Sequence, residues 1–171
     1  MSVEETAVVT GLGAAFTEAM SRLVSGVAVV GAQGPDGKPC GMLVTSLCSY
    51  SVRPPSILMA VAHGSRTAAA LSMTGEFSVH LLSSAGGPAA EAFAGQGQDK
   101  FHGLDWTWDG AVPRLADVPV YLRCSVGRMF GHGDHSVVIG EVADCRLGPG
   151  EPLVYFGRRL DWSLMDGPDA W

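Results

Sequence analysis

Ser65-Arg66-Thr67 puts a helix-capping hydroxyl, a planar cation and a second hydroxyl where an apolar strand ends and a helix should begin. A helix N-terminus presents unpaired N–H groups and a partial positive charge, so it attracts phosphate. Arg66 would add a charged fork, and Ser65 and Thr67 would add hydroxyl donors. The same residues also fit an ordinary capped helix with a solvated arginine. Upstream, Thr45-Ser46-Leu47-Cys48-Ser49 leaves a strand as a run of small, mostly polar residues. Such a ledge can offer donors to the edge of a ring, or it can be a plain polar turn. Downstream, Asp99-Lys100-Phe101 sets a cation beside an aromatic ring, which suits a phosphate and a stacked ring or a surface loop. Together the three segments would suit a flat, polar-edged ring with a phosphate tail.

Gly133-Asp134-His135 lies between two long apolar stretches. A histidine held by a neighbouring acid at a strand turn could be a base, a metal ligand or a hydrogen-bond donor to a substrate. As a metal site it is poor: His132 and His135 are three apart, and no third ligand follows at a convincing spacing. No G-x-S-x-G elbow is present for a hydrolytic triad. Tyr155, Arg158 and Arg159 place two cations near the end of the last strand, at a possible site or at a solvated terminus. Gly11-Leu12-Gly13-Ala14-Ala15-Phe16 is half a dinucleotide fingerprint. It lacks the final small residue, a full preceding strand and a following strand that ends in an acid.

These residues must be positioned by one domain. The chain has 171 residues, enough for a single core, and the sequence reads as one domain over 1–171 with its core at about 12–160 between two tails. Only 16% of residues are charged, a sparing share that often accompanies surface hidden in an oligomer. The net charge of −6 argues against nucleic acid or an anionic membrane as partner. The acidic start MSVEETAVVTG carries no secretory signal and no long apolar window follows, so a cytoplasmic protein is expected. The four cysteines lack C-x-x-C spacing and read as small buried hydrophobes in a reducing compartment.

Apolar spacing predicts an amphipathic helix over Leu12–Val24, ended by Gly26. Strands are expected at Val27–Ala32, Cys40–Thr45, Tyr50–Val52, Ser56–Ala62, Glu76–Leu82, Val120–Phe130, Ser136–Leu147 and Leu153–Phe156. In Glu76–Leu82, Phe77, Val79 and Leu81 should face inward, with Glu76, Ser78 and His80 on a solvated face. Helices are expected from Arg66 to about Met73 and at Pro88–Phe93, and residues 95–119 read as a long loop. Beyond Asp161 the tail reads as irregular. The sum is a mainly β chain with a few helices, an antiparallel barrel of six or seven strands.

In order along the chain, Ser25-Gly26-Val27-Ala28-Val29-Val30, Asp36-Gly37, Gly41-Met42, Ser46, Pro54-Pro55, Ser65-Arg66-Thr67, Phe77, Phe93, Lys100-Phe101, Gly133-Asp134-His135, Gly140-Glu141-Val142 and Pro152-Leu153-Val154-Tyr155 resemble the flavin reductase family with the FMN-binding split-barrel fold. These are the reductase components of two-component flavin-dependent monooxygenases. The resemblance implies an antiparallel split β-barrel that forms a homodimer. It implies hydride transfer from NADH or NADPH to FMN or FAD, with reduced flavin passing, by diffusion, to a partner monooxygenase. By position, Met42, Thr45, Ser46, Leu47 and Cys48 would line the isoalloxazine ring. Ala62, Ser65, Arg66, Thr67, Lys100 and Phe101 would hold the ribityl phosphate side. Gly133, Asp134 and His135 would meet the nicotinamide, with His135 positioning it, and Tyr155 and Arg158 would be further contacts. Thr45, where many members carry Asn, and Leu160, where an aromatic often follows the arginines, depart from the family pattern. An oxidase or oxygenase with tightly held flavin, a non-catalytic flavin- or haem-binding module, and a barrel binding an apolar ligand are the competing readings.

Overall fold

The computed structural model describes residues 11–97 and 99–162. Seven antiparallel strands form its main sheet: β2 (Ala28–Gln33), β3 (Pro39–Val44), β4 (Cys48–Val52), β5 (Pro55–Ala62), β6 (Glu76–Leu81), β9 (Val120–His132) and β10 (His135–Leu147). Their order across the sheet is β3-β2-β6-β9-β10-β5-β4. The sheet curls, so that β3 at one edge also touches β5 near the other. Ser46, between β3 and β4, fastens this closure: its Oγ donates to the Ala60 carbonyl and accepts the Ala60 N–H, both at 3.1 Å. Inside the curl lie Val30, Met59, Val61, Leu71, Phe77, Val79 and Val138, all buried. β5 alternates buried Ile57, Met59 and Val61 with half-buried Leu58 and Ala60, as its place between β10 and β4 requires.

The stretch expected as a loop holds a hairpin, β7 (Trp106–Asp109) and β8 (Val112–Leu115). It changes the environment of β6. Ser78 and His80, expected on a solvated face, are 0% exposed because β8 covers them. Ser78 donates to the Pro113 carbonyl at 2.6 Å. His80 Nε2 accepts the Leu115 N–H at 3.1 Å, so its proton sits on Nδ1, which donates to the Val29 carbonyl at 3.3 Å. Burial pushes this imidazole down to about 4, and it stays neutral. A second core forms beside the hairpin, from Val27, Val29, Leu82, Phe93, Phe101 and Leu115.

Helix α1 spans Leu12–Ser21, three residues short of the expected end. The apolar spacing is real, but nothing described packs on it: Leu12 is 87% and Phe16 62% exposed, and only Ser21 is buried. A small sheet, β1 (Ser25–Gly26), β11 (Val154–Phe156) and β12 (Arg159–Trp162), stands apart from the main sheet. β12 corrects the irregular tail expected from Asp161 onward. The tails at 1–10 and 163–171 lie outside the described residues. All four cysteines are free; Cys40 and Cys124 are buried, against the exposed Cys48 and Cys145. Burial raises the Cys40 thiol and pushes the Cys124 thiol up to about 12. No helix among the described residues is long and apolar enough to cross a membrane.

Candidate functional site

Helix α2 (Arg66–Thr74) starts four residues after β5 ends. Ser65 caps it, accepting the Ala68 N–H at 3.0 Å, and Gly75 stops it. The Ser65 hydroxyl also donates to the Ala62 carbonyl at 2.9 Å, so its proton belongs to the turn and not to a ligand. Thr67 is 2% exposed, so its hydroxyl is likewise turned into the protein. What remains for an anion is the helix end itself. The Thr67 N–H has no acceptor among the described residues, as first-turn groups do not within a helix. Arg66 stands beside it, half-exposed and paired with Asp36 at 3.3 Å.

A surface cleft of about 610 Å³ opens over this helix start. Gly41 and Met42 of β3 form one wall, with Arg66 and Thr67 opposite. Helix α3 (Gly87–Ala94) closes the end with Phe93 and Gly95–Gly97. At Gly41 a Cβ would stand 2.6 Å from the Phe93 ring and 2.8 Å from the Val30 carbonyl oxygen, so only glycine lets the strand pass this close. Lys100 enters the cleft while donating from Nζ to the Phe93 carbonyl at 2.9 Å, an anchor that leaves two ammonium protons. Partial burial lowers its pKa. Phe101, beside it and expected on the phosphate side, is 2% exposed and sits in the second core.

On the other side of α2 the hairpin of β9 and β10 turns through Gly133-Asp134, with Gly133 at φ 58°. Register sets His135 opposite Ala62, the last residue of β5, so the hairpin tip abuts the α2 entry loop. The His63 N–H donates to the Asp134 carbonyl at 2.9 Å, and His63 Nε2 lies 2.9 Å from Ser136 Oγ. His135 Nδ1 donates to Asp134 Oδ1 at 2.7 Å, which fixes the ring and leaves Nε2 for a ligand. The same bond holds the Asp134 carboxyl below its ordinary range. A shallow depression lined by His63, Ser65, Arg66, Met129 and Ser136 adjoins this tip. Arg66 therefore borders both it and the cleft.

A helix start, an apolar strand wall and a Gly-Asp-His turn thus meet on one side of the curled sheet. The sequence profile described as flavin reductase like domain matches residues 20–163. The chain belongs to the flavin reductase family. A flavin reductase (NADH) of Kitasatospora aureofaciens is 35% identical over 162 residues, 91% of this chain and 85% of that one. The reductase component of 4-hydroxyphenylacetate 3-monooxygenase from Thermus thermophilus is 35% identical over 86% of this chain and 97% of its own. Among solved structures, the NADH:FAD oxidoreductase of Streptomyces globisporus C-1027, crystallised with NAD and FAD fragments, superposes with a TM-score of 0.80 at 28% identity. That match covers 91% of this chain and 93% of the other.

Within this flavin reductase fold, the ring ledge is built as follows. Met42 is half-buried on the cleft wall, and Leu47 packs on the main core. Thr45 and Cys48 are exposed, while Ser46 spends both hydroxyl roles on Ala60. Tyr155 and Arg158 are not brought to the cleft. Tyr155 packs against the second core from β11, opposite Ser25, and Arg158 pairs with Glu18 of α1 at 3.0 Å. Two residues join the site without having been picked out for it. Asp36 steers Arg66 from the β2–β3 turn, and His63 ties the α2 entry to the His135 hairpin. The signal for His63 was its place directly before Gly64-Ser65-Arg66; the signal for Asp36 needed the sheet register.

Proposed function

We propose that this chain catalyses hydride transfer from NADH or NADPH to FMN or FAD and supplies reduced flavin to a flavin-dependent monooxygenase. The observation carrying this reading is the pairing of His135 with Ala62, which joins the Gly-Asp-His turn to the α2 phosphate cradle through Arg66. A bound flavin would supply N5 as the acceptor for a hydride from C4 of the nicotinamide, so the protein would need only to hold the two rings in contact. The α2 N-terminus, Arg66 and Lys100 hold the phosphate. Gly41 and Met42 form the wall beside the flavin, and His135, its Nδ1 committed to Asp134, presents Nε2 to the nicotinamide carboxamide. The cleft opens on the protein surface, which suits release by diffusion.

The bare apolar face of α1 supports a homodimer in which a second copy covers Leu12, Phe16 and Met20. Light scattering should give twice the chain mass of 17.8 kDa; a monomer at all concentrations would refute it. Free thiols support a cytoplasmic setting.

The test is NADH consumption by purified protein with added FMN and then FAD, in air. Sustained turnover that requires flavin is the expected result. A tightly held flavin that NADH does not bleach would overturn the reading. His135→Ala should raise the KM for NADH roughly tenfold, the equivalent of one hydrogen bond of about 1.5 kcal/mol, with flavin affinity unchanged. Equal losses in both would make His135 a structural residue.

A further inference from the structure

A second cavity, of about 580 Å³, adjoins the phosphate cradle and shares Arg66 with it. It runs from the β2–β3 turn to the β7 hairpin, bordered by Asp36, Lys38, Asp99, His102 and Trp106. Its size is within the range of small-molecule pockets. Three of its polar side chains, Lys38, Asp99 and His102, make no hydrogen bond or ion pair with any described residue. In the neighbouring cleft the hydroxyls are consumed, Ser46 on Ala60 and Ser65 on Ala62 and Ala68, while Lys100 keeps two protons beyond its bond to Phe93. Unspent groups around a cavity that adjoins a phosphate cradle call for a polar ligand continuing from that phosphate.

We propose that this cavity is an adenosine diphosphate subsite, through which the chain binds FAD more tightly than FMN. The inference rests on the flavin reading above. FAD exceeds FMN by an adenylate attached to the flavin phosphate, so the extra half begins at Arg66 and enters this cavity. Lys38, with Arg66, faces the second phosphate. Asp36 is already neutralised by Arg66 at 3.3 Å, so the anion meets no unpaired carboxylate at that point. Asp99 accepts from ribose hydroxyls. Trp106 offers a half-buried indole steadied edge-on by Phe101 and Trp108, with centroids at 5.2 and 5.3 Å, and His102 offers a second flat face for adenine. The nicotinamide dinucleotide carries the same adenosine diphosphate group. However, the depression beside the His135 hairpin lies against Ala68, Ala69 and Ser72 of α2, and it shares only Arg66 with this cavity.

The experiment is calorimetric titration of FMN and FAD into wild type, Lys38→Glu and Arg66→Ala, with the KM for NADH measured in parallel using FMN. Wild type should bind FAD about tenfold more tightly than FMN, and Lys38→Glu should remove about that factor from FAD alone. Arg66→Ala should weaken both flavins. Equal wild-type affinities, or a Lys38→Glu loss shared by FMN, would overturn the subsite and leave the flavin reading standing. A Lys38→Glu variant with a raised KM for NADH and unchanged FAD affinity would move the adenylate to the dinucleotide and overturn the FAD assignment. Binding of neither flavin to wild type would overturn this proposal together with the proposed function.

Discussion

Phe101→Ala should cost about 3–5 kcal/mol of folding stability, the range for deleting a buried phenyl ring. The ring is 2% exposed and meets Phe93 and Trp106 edge-on, with centroids at 4.9 and 5.2 Å. Removing it would leave a cavity where α3 and the β7 hairpin meet. Phe93 also lines the cleft, and its carbonyl anchors Lys100, so flavin affinity should fall as a consequence of that disorder. Urea denaturation of the variant, beside Phe101→Leu, separates the roles. Leu should recover most of the stability and flavin affinity if the ring fills space. Wild-type stability in Phe101→Ala with flavin binding lost would return Phe101 to the ligand.

Acid should destabilise the fold through His80. The unfolded histidine takes its proton near 6.5, and the folded one only near 4. Between those values the unfolded state holds more protons, so stability falls as pH falls. The contribution is fully present above pH 6.5 and is lost on the way down to about 4. That window corresponds to about 3 kcal/mol. Protonation would also remove the acceptor of the Leu115 N–H and charge a site beside Tyr121 and Arg114. Urea midpoints at neutral and acidic pH, for wild type and His80→Gln, are the check. An identical acid slope in both would clear His80 of the effect.

Local signals in the sequence were readable wherever a short-range interaction determines them. The Ser65 cap, the end of helix α2 and the two long strands around Gly133 all stand within a residue or two of expectation. What could not be read depends on a partner surface. Alternation put Ser78 and His80 outside, and only the arrival of β8 from 35 residues downstream encloses them. Trp106 and Trp108 looked like loop aromatics because each contributes to a strand of only four residues. At the site, the structure shows which of the expected side chains are already engaged within the protein. Ser65 spends its hydroxyl on the helix cap and turn, Thr67 and Phe101 are buried, and Arg66 and Lys100 line the cleft. Order along the chain could not separate the engaged side chains from those lining the cleft, since both occupy the same short motifs.

The burial of two thiols has a consequence for the company this protein keeps. Reduced flavin set free in air is consumed by oxygen and leaves hydrogen peroxide, an oxidant that attacks thiolate far faster than thiol. Burial raises the thiol pKa of Cys40, on the cleft wall beside the start of α2, and of Cys124 in the barrel wall. Neither buried sulfur readily forms the thiolate that peroxide attacks. Cys48 and Cys145 stand exposed on β4 and β10, so peroxide in solution would meet those sulfurs first.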